Sequence, residues 1–91
     1  MPSYLVETFL PRGRAGERMA RARRARAAAE DMTRQGPRVR FERWIDVPGD
    51  EICFFVFEAD SSRDVVLAAQ RAELEPLRVV EAIASQKENE T

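Results

Sequence analysis

The amino-acid sequence predicts an α+β domain made of two successive β-α-β units. Three features of the 91-residue chain lead there. Short runs of alternating apolar and polar residues are separated by longer runs in which small apolar residues recur every three or four positions. The stretch from Val39 to Glu58 holds two strand-like runs joined by Pro48-Gly49-Asp50, the composition of a tight turn. The length suits one domain with one core, and a chain this small gains from a second copy as a further source of buried apolar surface.

Ser3 to Leu10 alternates, with Tyr4, Val6 and Thr8 on one side and Leu5, Glu7 and Phe9 on the other; Pro11 and Gly13 end the run. Ala15 to Gln35 is rich in Ala, Arg, Glu and Met, all good helix formers, and Gly36-Pro37 stops it. Met19, Ala22, Ala25, Ala29 and Met32 fall on one stripe, whose small side chains permit close approach to a sheet. In the next run Val39, Phe41, Ile45 and Val47 oppose Arg40, Glu42, Trp44 and Asp46, and Arg43 interrupts the alternation. Gly49 is expected to supply positive φ in the turn. Ile52 to Phe57 is apolar on both faces, as befits a central strand. Asp60-Ser61-Ser62 provides cap oxygens for a helix over 63–72 that carries Val65, Val66, Ala68, Ala69 and Ala72. Pro76 forbids its continuation, and Arg78 to Ala84 reads as the last strand.

That order is the split βαβ arrangement of ferredoxin-like folds: βαββαβ, a four-stranded antiparallel sheet with two helices on one face and the first and third strands central. Residues 3–84 form the single domain, and 85–91 form a polar C-terminal tail. The other sheet face is left open with apolar side chains on it, so a homodimer of the dimeric α/β-barrel type is expected.

Composition narrows the chemistry. There is no His, which removes Ser-His and Cys-His mechanisms and the commonest transition-metal ligand. Cys53 is the single cysteine, set in an apolar strand, and reads as a small core side chain. The N-terminal apolar stretch is short and contains Glu7, unlike a secretory signal, and no run approaches a membrane span; a cytoplasmic protein is expected. Residues 1–43 hold eleven Arg against five acids, whereas residues 44–91 hold four basic residues against eleven acids. Such asymmetry suits either an anionic partner or contact between opposite halves of two copies.

Tyr4-Leu-Val-Glu7, Phe55-Val-Phe-Glu-Ala-Asp-Ser61 and Ala69-Gln-Arg-Ala72, running on through Leu77 to Val79-Val-Glu81, carry a resemblance over residues 4–83. In these stretches the chain resembles a family of small bacterial proteins of unknown function that includes an actinobacterial nickel-binding protein. The resemblance implies a ferredoxin-like fold and a dimer. The family's aromatic-x-His-Ser-Tyr pattern corresponds here to Phe41-Glu42-Arg43-Trp44-Ile45, which puts Arg43 in the histidine place. Arginine stays protonated and cannot ligate a metal. With no imidazole and one thiol, nickel binding is not expected, and no metal or other cofactor is assigned. Glu73 stands where the family has a glycine closing the second helix.

Strand phase suggests one polar group on the open face. Glu7 faces away from the helices; Glu81, in phase with Val79 and Ile83, is expected beside it, with Glu58 near them and Arg43 entering in phase with Phe41 and Ile45. Trp44, on the otherwise polar side of its strand, is expected to meet a partner subunit. Glu7, Arg43, Trp44, Glu58 and Glu81 are therefore the candidate ligand-binding residues, with no catalytic residue assigned. A ligand would sit at the dimer seam or between the open face and the first helix. The expected role is a small-molecule-binding module rather than an enzyme. A cofactor-independent isomerase or oxygenase is the alternative if a crowded carboxylate acts as base. Polyanion or RNA binding through the arginine-rich first helix is a further alternative, disfavoured by the slightly acidic total and the absence of an aromatic RNA-binding motif.

Overall fold

The computed structural model describes residues 1–85; the polar tail expected over 85–91 lies outside them apart from Ser85. Strand β1 is Ser3–Phe9, helix α1 is Arg18–Gln35, β2 is Val39–Val47, β3 is Ile52–Ala59, α2 is Ser62–Arg71 and β4 is Arg78–Ala82. The strands form one sheet in the order β2-β3-β1-β4. All three pairings are antiparallel. This is the ferredoxin-like fold, with β1 and β3 central.

One face of the sheet and the two helices enclose the core. β1 contributes Tyr4, Val6 and Thr8, β3 contributes Cys53, Phe55 and Phe57, and β2 contributes Val39 and Phe41. Ala22, Ala25, Ala29 and Met32 of α1 and Val65, Ala68 and Ala69 of α2 pack onto them. Alanine dominates the helix side because large aromatic rings fill the sheet side; Phe41 lies with its ring centre 5.5 Å from that of Phe57. The Thr8 hydroxyl, buried in β1, donates to the Cys53 carbonyl at 2.7 Å and is thereby satisfied.

The start of the first helix differs from the sequence expectation. Residues Arg12–Glu17 form a 3-10 segment with a non-helical Arg14, and the α-helix begins only at Arg18. The stripe therefore starts at Ala22. Met19 is 55% exposed, while Arg21 is buried and donates to the Phe9 carbonyl at 3.0 Å. Phe9 is in the last β1–β3 pair and lies beyond the β1–β4 pairing, which ends at Glu7, so Arg21 satisfies an acceptor that β4 no longer covers.

The turns also reassign backbone roles. Pro48–Asp50 is a short 3-10 turn, and the left-handed residue is Glu51, φ 55°, rather than Gly49. As expected, Ser61 caps α2 by accepting from the Asp64 N–H at 3.3 Å. At the other end of α2, Glu73 has φ 56°; its N–H donates to the Gln70 carbonyl and the Leu74 N–H to the Ala69 carbonyl, each at 3.0 Å. This is a Schellman ending with the buried Leu74 as its hydrophobic anchor and a glutamate in the position that favours glycine.

Candidate functional site

The sheet face away from the helices is built by residues out of phase with the core. Register places Leu5 between Val56 and Val80, Glu7 between Phe54 and Arg78, and Ser3 between Glu58 and Ala82. Ile45 pairs with Phe54 and Val47 with Ile52. The middle of this face is apolar, and no element of the described chain covers it; Phe9 is 52% exposed and Ile45 44%. Ile83, beyond the end of β4, is 93% exposed beside it.

Arg43 reaches this face through a β-bulge. The β2–β3 register slips between Phe41 and Arg43, leaving Glu42 as the extra residue. Before the slip Phe41 faces the core; after it Arg43 and Ile45 face outward while Trp44 and Asp46 turn toward the helices. A single alternation through the whole strand is therefore incorrect, and so is the placing of Trp44 on the outer surface. Trp44 packs against the core, with the Arg18 guanidinium 5.0 Å from its ring centre. Arg18 also meets Asp46 at 2.5 Å. The interruption of alternation at Arg43 was the signal of the bulge; its reading as a second strand phase came only with the register.

Glu81 is the second correction. β4 pairs Tyr4 with Glu81 and Val6 with Val79, so Glu81 lies on the helix side of the sheet, exposed at its edge, while Arg78 and Val80 share the open face with Glu7. A strand whose first outward residue is charged and whose second is apolar carries no alternation from which to read its phase.

The three remaining candidates fall at two ends of the open face. Glu7 accepts from Arg78 Nε at 2.6 Å. Glu58 is four residues further along β3 from the partner of Glu7, roughly 13 Å at the ordinary strand rise. Glu58 meets Arg40 at 2.9 Å, and Arg43 meets Glu42 at 2.8 Å. Arg43 and Glu58, with Glu42, Leu5, Ile45 and Val56, border a shallow concavity of about 330 Å³. The structure thus brings Arg43 and Glu58 together, adds Glu42 and Arg40, and separates Glu7, Trp44 and Glu81 from them. Helix α1 lies on the opposite face, so it does not border a ligand here.

Several arginines of α1 are committed to the fold. Arg18 meets Asp46, Arg21 meets the Phe9 carbonyl, and Arg24 Nε donates to the Ala72 carbonyl at 2.7 Å. Cys53 lies fully buried opposite Asp46, and burial first, then that carboxylate, pushes its thiol up to about 11. Among the described residues, no three His, Cys, Asp or Glu side chains converge into a possible metal-binding group. No helix among them is long and apolar enough to cross a membrane.

No protein-family model matches this chain, and no curated protein matches it. A solved structure does: the crystal structure of SCO4226 from Streptomyces coelicolor A3(2) aligns with a TM-score of 0.68 and 19% identity, covering 92% of this chain and 99% of that one. At that identity the likeness establishes a shared fold.

Proposed function

We propose that the protein is a cytoplasmic homodimer formed through its open sheet face, and that it binds a small, largely apolar molecule between the two sheets. The observation that supports this reading is the apolar surface formed by Leu5, Phe9, Ile45, Ile52, Phe54 and Val80, set on a rigid sheet with no layer over it. Paired face to face, two copies exclude water from it in the manner of a dimeric α/β barrel. The pairs Glu7–Arg78, Glu58–Arg40 and Arg43–Glu42 then act as a charged border that fixes the orientation of ligand and partner. Each of these carboxylates already meets an arginine, which suits binding better than proton transfer, so the module is read as non-catalytic.

Native mass spectrometry of the protein as purified tests this. The expected result is a dimer mass carrying a released small molecule, with Phe9→Glu/Ile45→Glu reduced to a monomer that retains nothing. A wild-type monomer, or a dimer unaffected by both charges, would overturn the proposal.

A further inference from the structure

A separate groove lies between the second half of α1 and the outer edge of β2. It has a volume of about 510 Å³, within the range of small-molecule sites. Its floor is carbon: Ala29, Val39 and Phe41, all buried. At the start of β2 the edge is answered by a side chain: the Thr33 hydroxyl accepts from the Val39 N–H at 3.0 Å and donates to the Val39 carbonyl at 2.8 Å.

The rim is cationic. Arg26, Arg34, Arg38 and Arg40 line it against one acid, Glu30. Arg34 and Arg40 have carboxylate partners at 3.0 and 2.9 Å, and Arg38 is held only at 4.0 Å from Asp60. Arg26 has no carboxylate within ion-pair distance among the described residues; its guanidinium sits 5.5 Å from the ring centre of Phe41. Placed over an aromatic ring, it presents its fork of donors beside an apolar surface.

We propose that this groove binds an amphipathic monoanion, an acyl or aryl carboxylate, with the carboxylate at Arg26 and the tail over Ala29, Val39 and Phe41, in the field of Arg38 at the far end. Charge complementarity selects the anion, and the carbon floor selects a ligand with a tail over a bare phosphate chain. The groove lies on the α1 side of the β2 edge, away from the open face; Arg40 borders both, but the contacts proposed for the anion, Arg26 and the carbon floor, do not use it, and neither reading depends on the other.

Calorimetric titration with octanoate and with 1-octanol decides the matter. Octanoate is expected to bind, and 1-octanol to bind at least about tenfold more weakly, the difference of one charge-assisted hydrogen-bonded contact. Arg26→Gln is expected to lower octanoate affinity by about tenfold, and Arg26→Gln/Arg38→Gln further, with an unchanged thermal melt because both side chains are exposed. Ile45→Glu is expected to leave octanoate binding intact whatever it does to the dimer. No octanoate binding, equal binding of the alcohol, an Arg26→Gln variant that binds normally, or loss of binding in Ile45→Glu would each overturn the assignment.

Discussion

At the scale of single residues, two side chains occupy environments whose physical consequences can be measured. Cys53 is buried without a cationic neighbour strong enough to stabilise its thiolate, and its pKa stands at about 11. In the folded protein it should react with a disulfide reagent at mildly alkaline pH only as fast as the chain opens, and at full speed in denaturant. The raised pKa means that the folded state favours the neutral thiol. Its contribution to stability is therefore complete at neutral pH and is lost as pH climbs through the ordinary thiol range toward about 11. Denaturant melts across that window should show Cys53→Ala losing less stability than wild type. Glu73 makes the second case. A left-handed residue with a Cβ costs about 1–2 kcal/mol, and glycine gives back part of the gain through its unfolded-state freedom. Glu73→Gly should therefore stabilise the protein by about 0.5–1 kcal/mol in urea denaturation, with no change in oligomeric mass. A loss of stability would mean that the Schellman ending of α2 is not formed.

At the scale of elements, β2 shows what a pattern of side chains does and does not reveal. Its strand character, like that of β1 and β3, was legible from alternation and β-branched or aromatic content, and the turn before β3 from Pro48-Gly49. The bulge was not, because an extra residue leaves the composition of a strand unchanged and shifts only which face each later residue joins. One slip at Glu42 moved Trp44 inward. The same limit misplaced Glu81, since β4 is only Arg78–Ala82 and its phase is set by hydrogen bonding to β1. Gly49 was expected to take the positive φ because glycine does so at no steric cost, yet Glu51 takes it where the 3-10 turn closes. The bulge predicts a clean separation of effects between neighbours. Trp44→Ala should cost about 2 kcal/mol of stability, a partial version of the loss for a fully buried Trp, and leave the subunit count unchanged. Ile45→Glu should cost little within the subunit and abolish the dimer. Urea melts and native masses of the two variants read both quantities; the reverse assignment would mean that β2 keeps one phase throughout.

At the scale of the whole molecule, the uneven charge acquires a direction. The basic excess of the first half sits on α1, where six arginines face two acids, whereas the acids of the second half gather in connecting segments, at Asp50, Glu51, Asp60, Glu73 and Glu75, and the edge strands β2 and β4 each carry as many acids as bases. Two modes of self-association follow from this arrangement. Copies joined through charge would set the basic α1 of one against the acidic connecting segments of the next, and because that contact is heterologous they would extend into open chains. Copies joined through their open faces would bury Phe9, Ile45 and Phe54 and close as a pair, with the charges left on the border. Salt separates the modes. Raising ionic strength from about 0.05 M to about 1 M shortens the screening length from well over 10 Å to about 3 Å, which dissolves a contact held by charge but leaves apolar burial in place. Sedimentation velocity should therefore give one dimer species whose association is unchanged or tightened by salt. Charge reversal at Arg23 and Arg26, exposed on α1, should leave it intact, because α1 lies on the other side of the sheet from the apolar face. Species larger than a dimer at low salt that dissociate as salt rises would instead identify the basic α1 and the acidic connections, rather than the uncovered sheet, as the surfaces through which this chain meets its copies.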